Sequence, residues 1–380
     1  MKIAINATYN PKSGAKVMLI NMLKFFQDEK DIFIVIYIRK QDLALLKDYD
    51  KNKLKVVISK IAGISTWIRV SWEQLILPFL LKREKVDILF CPNNIAPIYS
   101  PVKTIQWIGT IGPFFNEYYN GHNFIGKIKL YLNKFFMIMS ARQSDIVIHE
   151  SQFSQNLFVN KYKCQLSKSK VIHPGKDISF YPVAKKKTEH INIKYNINDT
   201  YILCVTKFLP YKNIERLIDA FGKIKMINTN LSLVIVGEIY SQEYYNEIIE
   251  KIEFMNLNKN ITILGEIKRQ DLLFLYSGCN FLVYTSLYES CGYILMEAMS
   301  CGAAICCSNT TAVPEACENA ALYFNPYDKS DIAKKMQILI NDDNIRKSLK
   351  RESLKRAGEL PDYAEVTTQT VSIMKNVIIN

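Results

Sequence analysis

Glu289 and Glu297 stand eight positions apart in Y-E-S-C-G-Y-I-L-M-E-A-M-S (288–300), directly after the apolar run F-L-V-Y-T-S (281–286). The run reads as a buried strand and the stretch after Gly292 as a helix, so Glu289 and Gly292 fall in a strand-to-helix turn. A helix start presents N–H groups and the positive end of its dipole to an anion. Gly292 lets the backbone approach such a ligand closely. Glu289 precedes the turn and reaches what sits in front of it, while Glu297 accepts hydrogen bonds from hydroxyls further along. Diphosphate at a helix start with sugar hydroxyls on carboxylates describes a nucleotide-sugar. Taken alone, the same pair also describes two solvated acids on a helix.

A second cluster lies upstream. C-V-T-K-F-L-P-Y-K-N (204–213) ends one strand and enters the helix I-E-R-L-I-D-A-F. Lys207 and Lys212 then flank a turn at the C-terminal edge of a sheet, where open α/β sheets bind ligands. Two cations there neutralise a diphosphate, both bound and as a leaving group. The plain alternative is surface lysines in a lysine-rich chain.

The elements that must hold these residues recur along the chain. Apolar runs at 2–6, 32–38, 55–58, 87–91, 104–108 and 145–149, then at 201–205, 231–237, 261–264, 281–285, 303–307 and 321–324, alternate with helical patterns such as 17–26. Runs without polar alternation are strands buried on both faces, which predicts parallel, doubly wound α/β sheets. A chain of 380 residues suggests two such domains, facing each other across a cleft. Pro, Gly and lysine-rich sequence in V-I-H-P-G-K-D-I-S-F-Y-P-V (171–183) and just beyond marks the boundary. The expected division is 1–182, 183–359 and a C-terminal helix, 360–380, crossing back to the first domain.

Composition narrows the classes. Hydrophobic residues make up 49% and aromatic residues 12%, enough for packed cores. No apolar run approaches the roughly 18 to 20 residues of a membrane span, and M-K-I-A-I-N-A-T reads as a first strand rather than a secretion signal. Nine scattered cysteines without a C-x-x-C pair argue against a disulfide framework or zinc site and fit a reducing cytoplasm. The net charge of +13 is uneven: 29 Lys and Arg against 14 Asp and Glu through residue 190, then 20 against 22. A basic front half suits an anionic partner.

Together, T-K-F-L-P-Y-K-N, V-I-V-G-E, I-L-G-E-I-K-R-Q-D-L-L-F-L-Y, Y-E-S-C-G-Y-I-L-M-E-A-M-S-C-G, A-V-P-E-A and N-P-Y-D resemble family 4 glycosyltransferases, retaining enzymes of the GT-B fold. Order and spacing match over about 200 to 330, and more loosely at 145–154, 171–175 and K-S-G-A-K near the N-terminus. The resemblance implies two Rossmann-like domains. The first would bind the acceptor; the second would bind a nucleoside-diphosphate sugar, its base (UDP or GDP) unresolved. It implies that Lys207, where the family usually has Arg, and Lys212 hold the diphosphate. Glu289 would sit by the donor sugar. Cys291, Gly292, Tyr293 and Ile294 would bring backbone N–H groups to sugar and phosphate, and Glu297 would bind the ribose. Gly237 and the turn Gly265, Glu266, Ile267 would line the base pocket, and Gly14 would approach the diphosphate from the first domain. The family's proton acceptor is the leaving phosphate, and neither a metal ion nor a cofactor is implied.

The chain departs from the family at Cys291, often Phe, at Thr206, often Gly, and at Ser13-Gly14, often paired glycines. The family's His after a first-domain strand falls at Gly109 in T-I-Q-W-I-G-T-I-G-P-F (104–114), and His122 is the nearest histidine. That absence motivates a second reading: a catalytically silent GT-B protein serving as a regulatory subunit that binds a nucleotide-sugar or a partner transferase. The leading reading is a retaining, metal-independent hexosyltransferase of bacterial surface polysaccharide synthesis. It would act in the cytoplasm on a glycan or polyprenyl-diphosphate-linked acceptor, peripheral to the plasma membrane. In I-G-K-I-K-L-Y-L-N-K-F-F-M-I-M-S-A-R (125–142), Ile128, Leu132, Phe135 and Met139 recur at helical spacing among lysines. This helix either faces a core or lies on an anionic membrane. T-W-I-R-V-S-W (66–72) offers two tryptophans to an interface or to a core. Nothing resembles a nucleic-acid-binding module.

Overall fold

Among the described residues every strand pairing is parallel, and the strands form two sheets. The computed structural model describes residues 1–9, 14–29, 31–47, 49–50, 52–92, 94–120, 123–225 and 231–379, with the backbone alone at 14–17 and 185. The chain divides into two compact units: 1–114, 122–175 and 361–380; and 115–121 with 176–360.

The first unit holds β1 (Lys2–Ala7), β2 (Phe33–Arg39), β3 (Leu54–Ser59), β4 (Ile88–Cys91), β5 (Lys103–Ile108), β6 (Ile146–His149) and β7 (Ser169–Val171), in the order β3-β2-β1-β4-β5-β6-β7. Its helices are α1 (Gly14–Asp28), α2 (Thr66–Leu75), α3 (Leu77–Glu84), α4 (Phe124–Gln143) and α5 (Gln152–Asn156). Alternate strand residues enter opposite cores because successive side chains point to opposite faces. Ile3 and Ile5 pack with Met18, Leu19 and Met22 of α1, whereas Ala4 and Val35 pack with Trp72, Leu77 and Leu81. Trp72 is therefore a core residue tilted against Tyr37, with ring centroids 6.1 Å apart, and is not available to an interface.

The second unit repeats the pattern with β8 (Tyr201–Val205), β9 (Ser232–Val236), β10 (Ile261–Gly265), β11 (Phe281–Tyr284), β12 (Ile305–Ser308) and β13 (Ala321–Phe324), ordered β10-β9-β8-β11-β12-β13. Around them lie α6 (Glu189–Tyr195), α7 (Ile214–Lys225), α8 (Gln242–Phe254), α9 (Arg269–Gly278), α10 (Tyr293–Ser300), α11 (Val313–Cys317), α12 (Lys329–Asn341) and α13 (Asp343–Glu359). Tyr201, Leu203 and Val205 share a core with Leu295 and Met299 of α10, while Ile202 and Cys204 share the other with Leu217 and Phe221 of α7. The strand order reverses between β8 and β11. The loops leaving those two strands therefore part at a topological switch point, the ligand crevice of open α/β sheets.

α14 (Tyr363–Ile379) belongs to the first unit, where Val366, Val371 and Met374 pack with β-strand and α1 residues. Gly175 allows that return: a Cβ there would lie 2.8 Å from the Tyr363 ring.

Candidate functional site

The residues singled out in the second half of the sequence converge on the C-terminal edge of its sheet. Lys207 and Lys212 follow β8, Gly237 follows β9, Gly265 ends β10 with Glu266 and Ile267 after it, and Glu289 to Gly292 follow β11. Tyr293, Ile294 and Glu297 lie on α10.

Lys212 and Glu289 form the centre. Lys212 Nζ is 2.5 Å from Glu289 Oε1, and the Tyr284 hydroxyl donates to the same oxygen at 2.6 Å. Lys212 is buried; burial opposes its charge, but Glu289, Tyr211 and Tyr284 together outweigh it and hold the ammonium well above its ordinary pKa. Hydrogen bonds between the two loops fix the pair. Thr285 Oγ1 donates to the Lys212 carbonyl at 2.9 Å, Leu287 N to the Tyr211 carbonyl at 2.9 Å, and Glu289 N to Thr311 Oγ1 at 2.9 Å. Buried Asn213 donates to the carbonyls of Thr285 at 3.2 Å and Pro326 at 2.8 Å. The plain alternative of a free surface lysine is thus excluded for Lys212.

Lys207 is paired as well, to Glu238 Oε2 at 3.1 Å, with its ammonium 5.7 Å from the Tyr240 ring centre. Gly237, just past β9, lies against the backbone just past β8: a Cβ there would fall 1.4 Å from the Thr206 carbonyl oxygen. Its N–H donates to the Gly265 carbonyl at 2.8 Å, so the two glycines are neighbours. Glu266 is exposed and Ile267 packs against the core.

Gly292 opens α10 at φ +117°, a conformation that glycine tolerates and L side chains resist. Having no side chain, it leaves the first turn of α10 to be capped by what lies in front of it, which is how helix starts hold anions. Cys291 is buried beside it.

Glu297 is no solvated helix acid. Arg269 Nη2 donates to its Oε1 at 2.6 Å, and the Tyr276 hydroxyl to its Oε2 at 3.1 Å. Burial raises its pKa, with Arg269 opposing. Arg269 also meets Asp177 Oδ2 at 2.9 Å and lies over the Phe180 ring, 4.8 Å from its centre.

Several contributors carry no sequence signal. Tyr288 is sandwiched between the rings of Tyr211, at 4.4 Å and 14°, and Phe115, at 4.9 Å and 12°. Glu238, Thr311 and Arg269 reach the site through contacts more than twenty positions apart in sequence, and Tyr284 bridges Glu289 and the distant Lys212. Among the described residues, no three His, Cys, Asp or Glu side chains group as a metal site.

The first unit's candidates are placed differently. Gly14 starts α1, but the loop before it (10–13) lies outside the described residues, as does His122. Gly109 N donates to Asn94 Oδ1 at 2.7 Å, and a Cβ at 109 would meet Glu150 Oε1 at 3.2 Å. The Glu150 carboxylate, which accepts from Trp107 Nε1 at 3.2 Å, thus borders the space a histidine would need.

Residues 185–356 match the family described as glycosyl transferases group 1. The chain is similar to serotype-specific mannosyltransferase WbdA of Escherichia coli, 28% identical over 186 residues, which are 49% of this chain and 23% of that protein. It is also similar to O-antigen chain mannosyltransferase B of Escherichia coli, 30% identical over 177 residues, 46% of this chain and 45% of that one. The matched stretch thus spans less than half the length of these relatives. The structure is similar to that of Anabaena HepE in complex with UDP and glucose, with a TM-score of 0.78 and 19% identity, covering 99% of both chains. With its two doubly wound parallel sheets, the chain has the GT-B fold, and its residues 185–356 are similar to the glycosyl transferases group 1 family.

Proposed function

We propose that the protein is a retaining glycosyltransferase that moves a hexose from a nucleoside-diphosphate sugar to a glycan or polyprenyl-diphosphate-linked saccharide in bacterial surface-polysaccharide assembly. The observation that carries this reading is the Lys212–Glu289 pair, buried at the switch point beside the start of α10. Lys212, Lys207 and the first turn of α10 take the diphosphate. Glu289 orients the sugar, Glu297 accepts from the ribose hydroxyls, and Gly237 with Gly265 to Ile267 borders the base. As the sugar–phosphate bond breaks, charge builds on the leaving oxygen; the two ammonium groups stabilise it. That oxygen then takes the proton of the attacking hydroxyl on the same face of the sugar.

Mannose is the first hexose to test, because the two sequence relatives named above are mannosyltransferases. A thermal-shift screen against UDP, GDP and their sugars identifies the donor, since a ligand of the folded state raises Tm. Wild-type donor turnover that disappears in Glu289→Ala supports the enzyme. Donor binding with no turnover in wild type supports the silent subunit, which the Gly109–Glu150 packing favours. In the enzyme reading no metal or cofactor takes part, so turnover persists in EDTA. In this reading the protein works at the inner face of the plasma membrane.

A further inference from the structure

α4 is amphipathic in the wrong direction for a core helix. Phe124 is 78% exposed, Ile125 63%, Ile128 43%, Leu132 40% and Phe135 52%. At about 100° per residue all five lie within about 60° of Ile128 on the helix surface. The residues α4 buries, Met137, Ser140 and Ala141, lie on the opposite side. A surface helix ordinarily turns its apolar arc to the core. Here the core is served by a short C-terminal patch, and the longer apolar arc faces water. Such arcs mark interaction sites.

The charges beside the arc say what covers it. Lys127 and Lys134 flank it on one side and Lys129 on the other, about 100 to 120° from Ile128. No acidic residue occurs from 118 to 144. Lys134 Nζ lies 5.6 Å from the centre of the Tyr162 ring and Lys161 Nζ 5.8 Å from it, so two ammonium groups share one ring. Two copies of this face would set lysine against lysine. A sheet of anionic head groups over a hydrocarbon layer satisfies both features at once: the arc enters the acyl boundary and the flanking lysines reach phosphate.

We propose that the exposed arc of α4, Phe124 to Phe135, docks the protein on an anionic lipid bilayer. This deepens the proposed placement at the membrane by naming the docking helix, and its test is separate from the transferase reading, because docking is measured without donor or acceptor.

The test is co-sedimentation of the full chain with phosphatidylcholine vesicles, with and without phosphatidylglycerol. Binding is expected only with phosphatidylglycerol and should weaken as salt rises. Lys127→Glu/Lys129→Glu should lower partitioning more than about tenfold, and Ile128→Ser/Phe135→Ser should do the same. These side chains are exposed, so both variants should keep the wild-type melting temperature, which separates lost docking from lost folding. The proposal is overturned by wild type that stays in the supernatant, by equal binding to neutral vesicles, or by folded variants that still sediment. It is also overturned by a dimer in light scattering that the serine variant dissociates, which would make the arc a self-association face.

Discussion

Lys212 and Glu289, 77 positions apart in sequence, meet at 2.5 Å with Tyr284 as their common neighbour. Their side chains are 7% and 15% exposed, so removing either leaves a charge largely cut off from water. Lys212→Ala and Glu289→Ala should each cost about 3 kcal/mol of stability, and the double variant should lose less than the sum. Donor turnover should fall about 100-fold or more in each single variant. Urea denaturation and donor hydrolysis measure the two effects separately.

Arg269 opposes the burial of Glu297, so Arg269→Ala should raise the Glu297 pKa further. In the proposed function Glu297 accepts from the ribose as a carboxylate, which predicts that nucleotide affinity falls with acidification, starting at a higher pH in the variant than in wild type. Calorimetric titration of the nucleoside diphosphate across pH should show this displacement, and Arg269→Lys should partly restore the wild-type profile. Parallel pH profiles would argue against the role given to Arg269.

Gly237→Ala has no room, because the new carbon would overlap the Thr206 carbonyl oxygen. That clash sets the Cβ against backbone and cannot be relieved by a rotamer. A loss of about 4 kcal/mol or more is expected, seen as little soluble protein or a greatly lowered Tm.

His149 is buried between Ser154, at 3.2 Å, and the Phe158 ring, and burial draws its pKa down to about 3. The unfolded chain binds a proton there below about pH 6.5, whereas the folded chain refuses it until about pH 3. Unfolding therefore gains a proton in that window. The stability is fully present above it and lost as pH falls through it. Urea midpoints should decline on acidification, and His149→Gln should flatten the decline.

The strands were legible because a strand buried on both faces needs an unbroken apolar run, as in F-L-V-Y and Y-I-L-C-V. β7 was not: three residues with Lys170 at the centre, on the sheet's edge, offer no such run. The arrival of 115–121 in the second unit was equally hidden, since the Phe115–Tyr288 stack joins residues far apart in sequence. Motif spacing singled out Lys212, Glu289, Gly292 and Glu297, which the fold brings to one edge of the second sheet. It said nothing of Arg269, Tyr284 or Glu238, whose partners are set by which strand ends become neighbours. The spacing in α4 gave its periodicity but not its direction, because an apolar arc reads the same toward a core or toward water.

The return of α14 makes the front unit discontinuous in time as well as in sequence. On the ribosome, 1–175 emerges long before Tyr363, Val366, Val371 and Met374, so part of its apolar interior stays uncovered while the rear unit is synthesised. The later-made half can finish folding first, and a nascent chain cut short anywhere before α14 exposes a sticky front half to chaperones and proteases.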